Sequence, residues 1–371
     1  MKTFRAGAFS MLLTLSCCLF FINDLAAQLT LPAGSQKASV SQTVGITEIT
    51  VEYSRPSVRG REIWGKLVPY GYNNLGFGTA TEAPWRAGAN ENTTISFSTS
   101  VIINNKTISP GTYGLHMALE ADGTATVILS EDAASWGSYF YDKSKDVVRV
   151  PVTTKEIGHT ELLTFVFNEV APAKTTLALQ WEKKEIPLEI EVKVSKLVLN
   201  DIRQRLKNSP GFNRQTWEQA ANYALNNDGD LTEALSWIDA AIAGQFFSQK
   251  NFNNLIIKAN ILAKMDQEAE ASKIVDEALA MGTVFEIHQY GRQLIARGEK
   301  EKALEVFKYN LKKHKNTWPV HLGAARGYAA NGKYKEALKH MTIAQKNAPD
   351  QPNRDAIAAN IDKLKNNEDI N

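Results

Sequence analysis

Four short stretches decide how the second half of this chain folds: Gly229-Asp230-Leu231-Thr232-Glu233-Ala234, Asp266-Gln267-Glu268-Ala269-Glu270-Ala271, Gly298-Glu299-Lys300-Glu301-Lys302-Ala303 and Gly332-Lys333-Tyr334-Lys335-Glu336-Ala337. Each opens on a turn residue and runs into a helix-favouring stretch that closes on alanine. Those closing alanines, Ala234, Ala271, Ala303 and Ala337, are 37, 32 and 34 residues apart. Self-similarity at that period is the mark of stacked supersecondary units, each unable to bury its apolar face alone.

The last unit is the most complete. Leu322, Ala325 and Tyr328 fall on one face of a first helix, Ala337, Met341 and Ala344 on one face of a second, and Pro349 closes the unit. Small residues where the helices cross let the backbones approach, and a glycine between them accepts a left-handed conformation. The third unit keeps Gly291, Leu294, Gly298, Ala303 and Phe307, and the first keeps Tyr223, Gly229, Ala234 and Ala241. The second has Asp266 in place of the turn glycine. Over residues 213–367 the pattern resembles tetratricopeptide repeats, which implies an α-solenoid. Residues 354–366, with Ile357, Ile361 and Leu364, read as a helix capping the last apolar face. Residues 196–212 read as a short helix and linker, broken at Pro210-Gly211.

Upstream the period changes to two. Ile49, Val51 and Tyr53 alternate with Thr50 and Glu52. Tyr113, Leu115, Met117 and Leu119 alternate with Gly114, His116 and Ala118. Leu177, Leu179 and Trp181 form a third set, and Leu188, Ile190, Val192 and Val194 a fourth. Such alternation puts each set on one face of a sheet and leaves the other face wet or lining a site. Asn104-Asn105, Ser109-Pro110-Gly111 and Asp122-Gly123 separate the runs as turns. Residues 28–195 are therefore expected to form an antiparallel β-sandwich or barrel. The whole chain reads as β plus α, in two domains that should fold separately.

Two stretches of this half are not strand-like. One runs from Arg55 to Asn92 and contains Arg55-Pro56, Gly60-Arg61, Ile63-Trp64-Gly65, Leu67-Val68-Pro69-Tyr70-Gly71 and Trp85-Arg86-Ala87-Gly88-Ala89-Asn90-Glu91. The other contains Trp136-Gly137 and Tyr141-Asp142. With Gly111-Thr112-Tyr113 between them, these motifs are similar, in order, to the family called domain of unknown function 2911. The resemblance covers residues 28–195. It implies an exported bacterial protein, most often of Bacteroidetes type, and no particular activity. The segment Tyr72–Gly78 departs from the family pattern like an insertion.

The N-terminus has the form of a secretory signal. Lys2 and Arg5 precede an apolar run from Phe9 to Ile22, interrupted by Ser10, Thr14 and Ser16, and Ala26-Ala27 follow. Cleavage is expected just before Gln28, although Leu25 stands where a small residue is usual. As an uncleaved anchor the run is short against the ~20 residues a membrane span needs. Thr14-Leu15-Ser16-Cys17 is a poor lipidation site. The two cysteines of the chain, Cys17 and Cys18, both lie in this segment, so the exported chain would hold no thiol for catalysis, cysteine–zinc binding or iron–sulfur ligation. The parts 28–195 and 196–371 carry net charges of −3 (15 basic, 18 acidic) and +4 (25 basic, 21 acidic). Neither balance points to nucleic acid. No later segment is long and apolar enough to span a membrane.

No nucleophile elbow, phosphate-binding loop, zinc-protease helix or dinucleotide fingerprint is present. No cofactor or metal is expected, because His288, His314, His321 and His340 are scattered along the repeats. The candidate residues therefore cluster in the two loops and one strand of the β half. Arg61, Arg86, Asn90 and Glu91, with Arg55, would suit an anion, since arginine offers a planar fork. They would equally suit an Arg–Glu pair bracing a long loop. Trp64, Trp85, Trp136 and Tyr141, with Tyr139, would form either an aromatic platform for a sugar or peptide or simple loop packing. His116 reads as a ligand or general base, or as a solvent-facing or hydrogen-bonded structural residue. His159 reads as a turn residue. Arg61, Trp85, Arg86 and Glu91 are expected together at one end of the β domain.

The resulting expectation is an exported binding or scaffold protein, periplasmic or extracellular. Its repeats would hold a peptide or partner protein, and its β domain a small ligand. The alternative is a hydrolase or other enzyme sited in the β domain, which an approach of Glu91 to His116 or His159 would favour.

Overall fold

The structure, a computed structural model, describes residues 31–315 and 317–371. The expected signal segment, 1–27, lies outside them. Two compact units divide the chain, one ending at Val192 and the other beginning at Lys193. No helix among the described residues is long and apolar enough to cross a membrane.

The first unit is built from β1 (Gln36–Val44), β2 (Thr47–Arg55), β3 (Thr94–Phe97), β4 (Val101–Ile103), β5 (Lys106–Ile108), β6 (Gly111–Leu119), β7 (Thr124–Ser130), β8 (Asp146–Thr153), β9 (Lys155–Ala171) and β10 (Lys174–Glu191). One sheet has the order β1-β2-β3-β6-β7-β8 and the other β5-β4-β10-β9. Every pairing in both is antiparallel. Neither sheet closes on itself among the described residues, so the expected barrel is set aside.

The alternation of β2 survives as burial: Ile49, Val51 and Tyr53 are inside, Glu48 and Glu52 outside. Their partners continue the apolar layer, with Val51 beside Val40 and Ile95, and Ile95 beside Tyr113. The two sheets meet where Tyr53 packs edge-on against Phe165, at 4.8 Å between ring centroids, and accepts a hydrogen bond from the Phe165 amide. Asn104 and Asn105, both at positive φ (48° and 61°), form the two-residue turn between β4 and β5, the backbone such tight hairpins favour.

Two expectations need correction. β6 has no wet face, because every residue from Tyr113 to Leu119 is buried. β3 pairs with β6 only as far as Gly114, and the long loop takes over the edge beyond it. Leu115 donates to Thr93, Trp85 and Met117 exchange two backbone hydrogen bonds of 2.8 Å, and Gly71 donates to Leu119. The two apolar runs 177–181 and 188–194 are not separate strands either. They join in β10, which kinks where Glu182 takes a φ of 54°, and Val194 starts a helix instead of ending a strand.

The second unit contains α1 (Val194–Arg205), α2 (Arg214–Asn226), α3 (Leu231–Ile242), α4 (Phe252–Lys264), α5 (Glu268–Met281), α6 (Val284–Ala296), α7 (Lys300–Lys313), α8 (Trp318–Ala330), α9 (Tyr334–Asn347) and α10 (Gln351–Lys365). From α2 to α9 these pair as four hairpins. The turn residues work in three ways. Gly298 and Gly332 are left-handed, at φ 82° and 69°, and Asp266 takes the same conformation at 60°. In the first hairpin the left-handed residue is Asp228. Gly229 is needed for room, since a Cβ there would stand 2.7 Å from that of Ala224. Ile357, Ile361 and Leu364 on α10 are buried against the last hairpin, in the same cluster as Ala337, Met341 and Ala344.

Candidate functional site

The loop after β2 is threaded onto the β6 edge by the Trp85–Met117 backbone pair, which fixes where the Trp85 side chain can lie. Its ring stacks on Trp181 of β10 at 5.9 Å and 16°, and Trp64 meets both rings edge-on, also at 5.9 Å. Aromatic pairs at such separations stabilise by about 0.5–1.5 kcal/mol each beyond the area they bury. The indole nitrogens of Trp64 and Trp181 are buried, yet neither has a hydrogen-bond acceptor among the described residues.

Beside this trio lies a pocket of about 410 Å³, with Arg61, Trp85, Arg86, Asn90, Ser138 and Trp181 on its walls and Val68, Pro69 and Leu75 among its apolar surfaces. Arg86 donates to the carbonyl of Asn90 and lies over the Tyr139 ring at 5.0 Å. Gly137, at φ 63°, leaves space for the Arg86 guanidinium, which a Cβ would overlap. Arg61 donates to the carbonyls of Val58 and Ser57, within its own loop.

Of the sequence candidates, Arg61, Trp85, Arg86 and Asn90 thus converge on one pocket, with Trp64 packed behind it. The Arg–Glu brace is not formed. Glu91 pairs with Lys37 at 3.3 Å and accepts from Ser54, while Asn90 donates to Ser35, so these neighbours hold the start of β1. A backbone hydrogen bond, ahead of Lys37 and Ser54, lowers the Glu91 carboxyl below its usual range. Arg55 instead ties β2 to β9 through Leu163 and Thr164. Trp136 is 55% exposed.

His116 is 2% exposed, so it is not solvent-facing. Its Nδ1 is 2.9 Å from the Ser138 hydroxyl, and Tyr141 meets its ring edge-on. Burial pushes the imidazole down to about 4, partly opposed by Asp132 and reinforced by Arg86, so the ring is neutral near pH 7. Tyr141 donates to Asp146, whose carboxylate also pairs with Arg149 at 2.6 Å, and Arg149 reaches Tyr72. Tyr72, Tyr141 and Arg149 line a second hollow of about 340 Å³. His159 lies within β9 and not in a turn, and pairs with Glu161 at 3.1 Å on the surface.

Sequence reasoning passed over Trp181 and Ser138 as site residues. Trp181 looked like one more inward residue of an alternating run. Ser138 stood between Trp136-Gly137 and Tyr141-Asp142 without a chemical partner nearby in sequence. The loop of Tyr72–Gly78 contributes Asn73 and Leu75 to the pocket wall.

The fold and site together define a β domain with a loop-built pocket, followed by helical hairpins in series. Residues 35–190, which span most of the β unit, match the family model described as protein of unknown function (DUF2911). The helical region that follows is tetratricopeptide-like, with several solved structures similar to it. YrrB, described as a TPR protein with an unusual peptide-binding site, is 17% identical over 44% of this chain and 84% of its own, with a TM-score of 0.27. MamA is 17% identical over 42% of this chain and 88% of its own, at 0.28. The C-terminal part of a TPR repeat-containing protein from Cytophaga hutchinsonii is 16% identical over 47% and 66%, at 0.30. At these scores nothing about partners follows from them. No curated protein matches the chain in sequence.

Proposed function

We propose that this is an exported binding protein. Its helical repeats recognise a peptide segment of a partner protein. Its β unit, read as a sandwich of the two sheets, takes a small ligand in the pocket beside Trp85. The observation that carries the first part is a cleft of about 680 Å³ between the second and third hairpins. Val275, Leu279 and Tyr290 are among its apolar walls, and Lys264, Glu268 and Arg297 among its charged ones. Apolar pockets for alternate side chains, bounded by charges that set register, suit an extended peptide, and stacked hairpins are well made to present such a surface. Export rests on Lys2, Arg5 and the apolar run to Ile22.

The second reading, a hydrolase or other enzyme in the β unit, draws on the Ser138–His116 hydrogen bond at the pocket. It ranks lower on two counts. Ser138 is 1% exposed, and an imidazole held near 4 is a weak base for activating a hydroxyl. Glu91, turned toward Lys37, supplies no carboxylate to the histidine.

Peptide display against the full chain tests the repeat groove. Tyr309 and Arg297 line the cleft from α7 and from the end of α6. Tyr309→Ala with Arg297→Glu is expected to weaken selected peptides at least tenfold, or about 1.4 kcal/mol. Peptides that bind the variant unchanged, or a selection that enriches none, would remove the groove from the account.

A further inference from the structure

The β-unit pocket has an unusual balance of charge. Arg61 and Arg86 both line it, and among the described residues no aspartate or glutamate does. Neither arginine has a carboxylate within ion-pair distance among the described residues. Their hydrogen bonds go to backbone carbonyls: Ser57 and Val58 for Arg61, Asn90 for Arg86. A guanidinium has five N–H donors, so each side chain retains donors that these carbonyls do not use. Two other arginines of the unit are committed. Arg149 has its carboxylate in Asp146, and Arg55 is spent on β9.

Much of the remaining wall is apolar, with Asn73, Asn90 and Ser138 as uncharged polar groups among it. Trp85 and Trp181 stack 16° from parallel beside the two cations, and Trp181, 1% exposed, has an indole N–H with no acceptor. A buried donor left unmade costs about 1–3 kcal/mol, which an acceptor atom on a bound molecule would recover. Two forked cations, a donor-only nitrogen and a stacked aromatic wall call for acceptor oxygens attached to a flat apolar body. The volume, about 410 Å³, is at the small end of ligand pockets, roughly 300–1,000 Å³.

Resting on the reading that this pocket holds a ligand, we propose that the ligand is a small organic carboxylate with an aromatic or similarly flat apolar body. Its carboxylate would sit between Arg61 and Arg86 and its ring against the tryptophan wall. Arginine suits this role because its planar fork matches a carboxylate in two parallel hydrogen bonds. Inorganic phosphate would satisfy the guanidinium groups but not the tryptophans. A free acid and the terminal carboxylate of a peptide share the chemistry and differ in bulk.

Calorimetric titration of the full chain tests this with paired probes: indole-3-acetate against indole-3-acetamide, and a dipeptide ending in tryptophan against its C-terminal amide, with phosphate alone as a further arm. The acid of a pair is expected to bind at least tenfold more tightly than its amide. Tighter binding of the free acid or of the dipeptide identifies the source. Arg61→Gln is expected to abolish the acid preference while leaving amide binding in place, and Arg86→Lys to reduce it. Amides that bind as well as acids would overturn the carboxylate assignment and leave the ligand pocket standing. So would acid affinity unchanged in Arg61→Gln, or binding of phosphate alone. Silence from every probe would overturn both.

Discussion

Replacing Phe307 by alanine is expected to lower the unfolding free energy of the helical unit by about 3–5 kcal/mol, the range for emptying a well-packed aromatic site. Phe307 is fully buried on α7, and three glycines are shaped around it: Gly291 on α6, and Gly323 and Gly327 on α8. A Cβ added at Gly291 or Gly323 would stand 2.6 Å from the ring, and one at Gly327 would stand 2.8 Å from it. The ring therefore joins the third hairpin to the fourth where no other side chain can fill the space. The same geometry makes Gly323→Ala destabilising by overpacking, by about 1–3 kcal/mol. Urea unfolding followed by far-ultraviolet circular dichroism measures both. A Phe307→Ala loss below about 1 kcal/mol, small beside the usual cost of an emptied aromatic site, would mean that the hairpins are held together elsewhere.

The second large effect lies in the β unit. Trp181→Ala should cost about 3–5 kcal/mol, because it empties the centre of the Trp64–Trp85–Trp181 trio and removes the wall against which the long loop is laid. With total stabilities near 5–15 kcal/mol, that is enough to unfold much of the unit's population on mild heating. Trp181→Phe separates packing from polarity. It keeps a ring and deletes the indole N–H that lacks an acceptor, so part of the lost contact area is offset by relief of an unmet donor. We expect Trp181→Phe to recover more than half of the alanine loss in chemical unfolding monitored through the remaining tryptophans. A phenylalanine variant as unstable as the alanine one would show that the indole N–H has a structural partner.

These two sites differ in how far the sequence announced them. Phe307, Gly291 and Gly298 stand at repeat-equivalent positions, and local period alone places them, since helical contacts close over short separations. Gly323 and Gly327 were not singled out, because their need arises only when a ring from another helix is laid against them. In the β half, Ile49, Val51 and Tyr53 declared their buried face, but β6 misled. His116 and Ala118 looked like the outward set of an ordinary alternating strand. His116 is covered by Ser138 and Tyr141 of the loop between β7 and β8, while the chain between Arg55 and Asn92 closes the β6 edge at Trp85 and Gly71, and no local pattern encodes either return. The arginines and tryptophans of the loops were legible as a cluster, and Arg61, Trp85, Arg86 and Asn90 do meet at one pocket. Glu91 was misplaced because adjacency to Asn90 says nothing about which side of the loop it faces, and Lys37 is brought to it only by β1 pairing with β2. Trp181 was missed because its contribution depends on a partner nearly a hundred residues upstream.

Loop arginines held for a ligand, and not as a brace, should be dispensable to folding, which differential scanning calorimetry of Arg61→Gln measures. Arg61 is exposed and bonds only to carbonyls three and four residues before it in its own loop, where solvent can replace it. The expected stability change is within about 0.5 kcal/mol, as for surface substitutions away from special features. The melting temperature should then move by no more than about 2 °C, in a protein that has lost its preference for carboxylates. A loss of about 3–5 kcal/mol, as when one partner of a buried ionic contact is removed, would make Arg61 a brace and contradict the account.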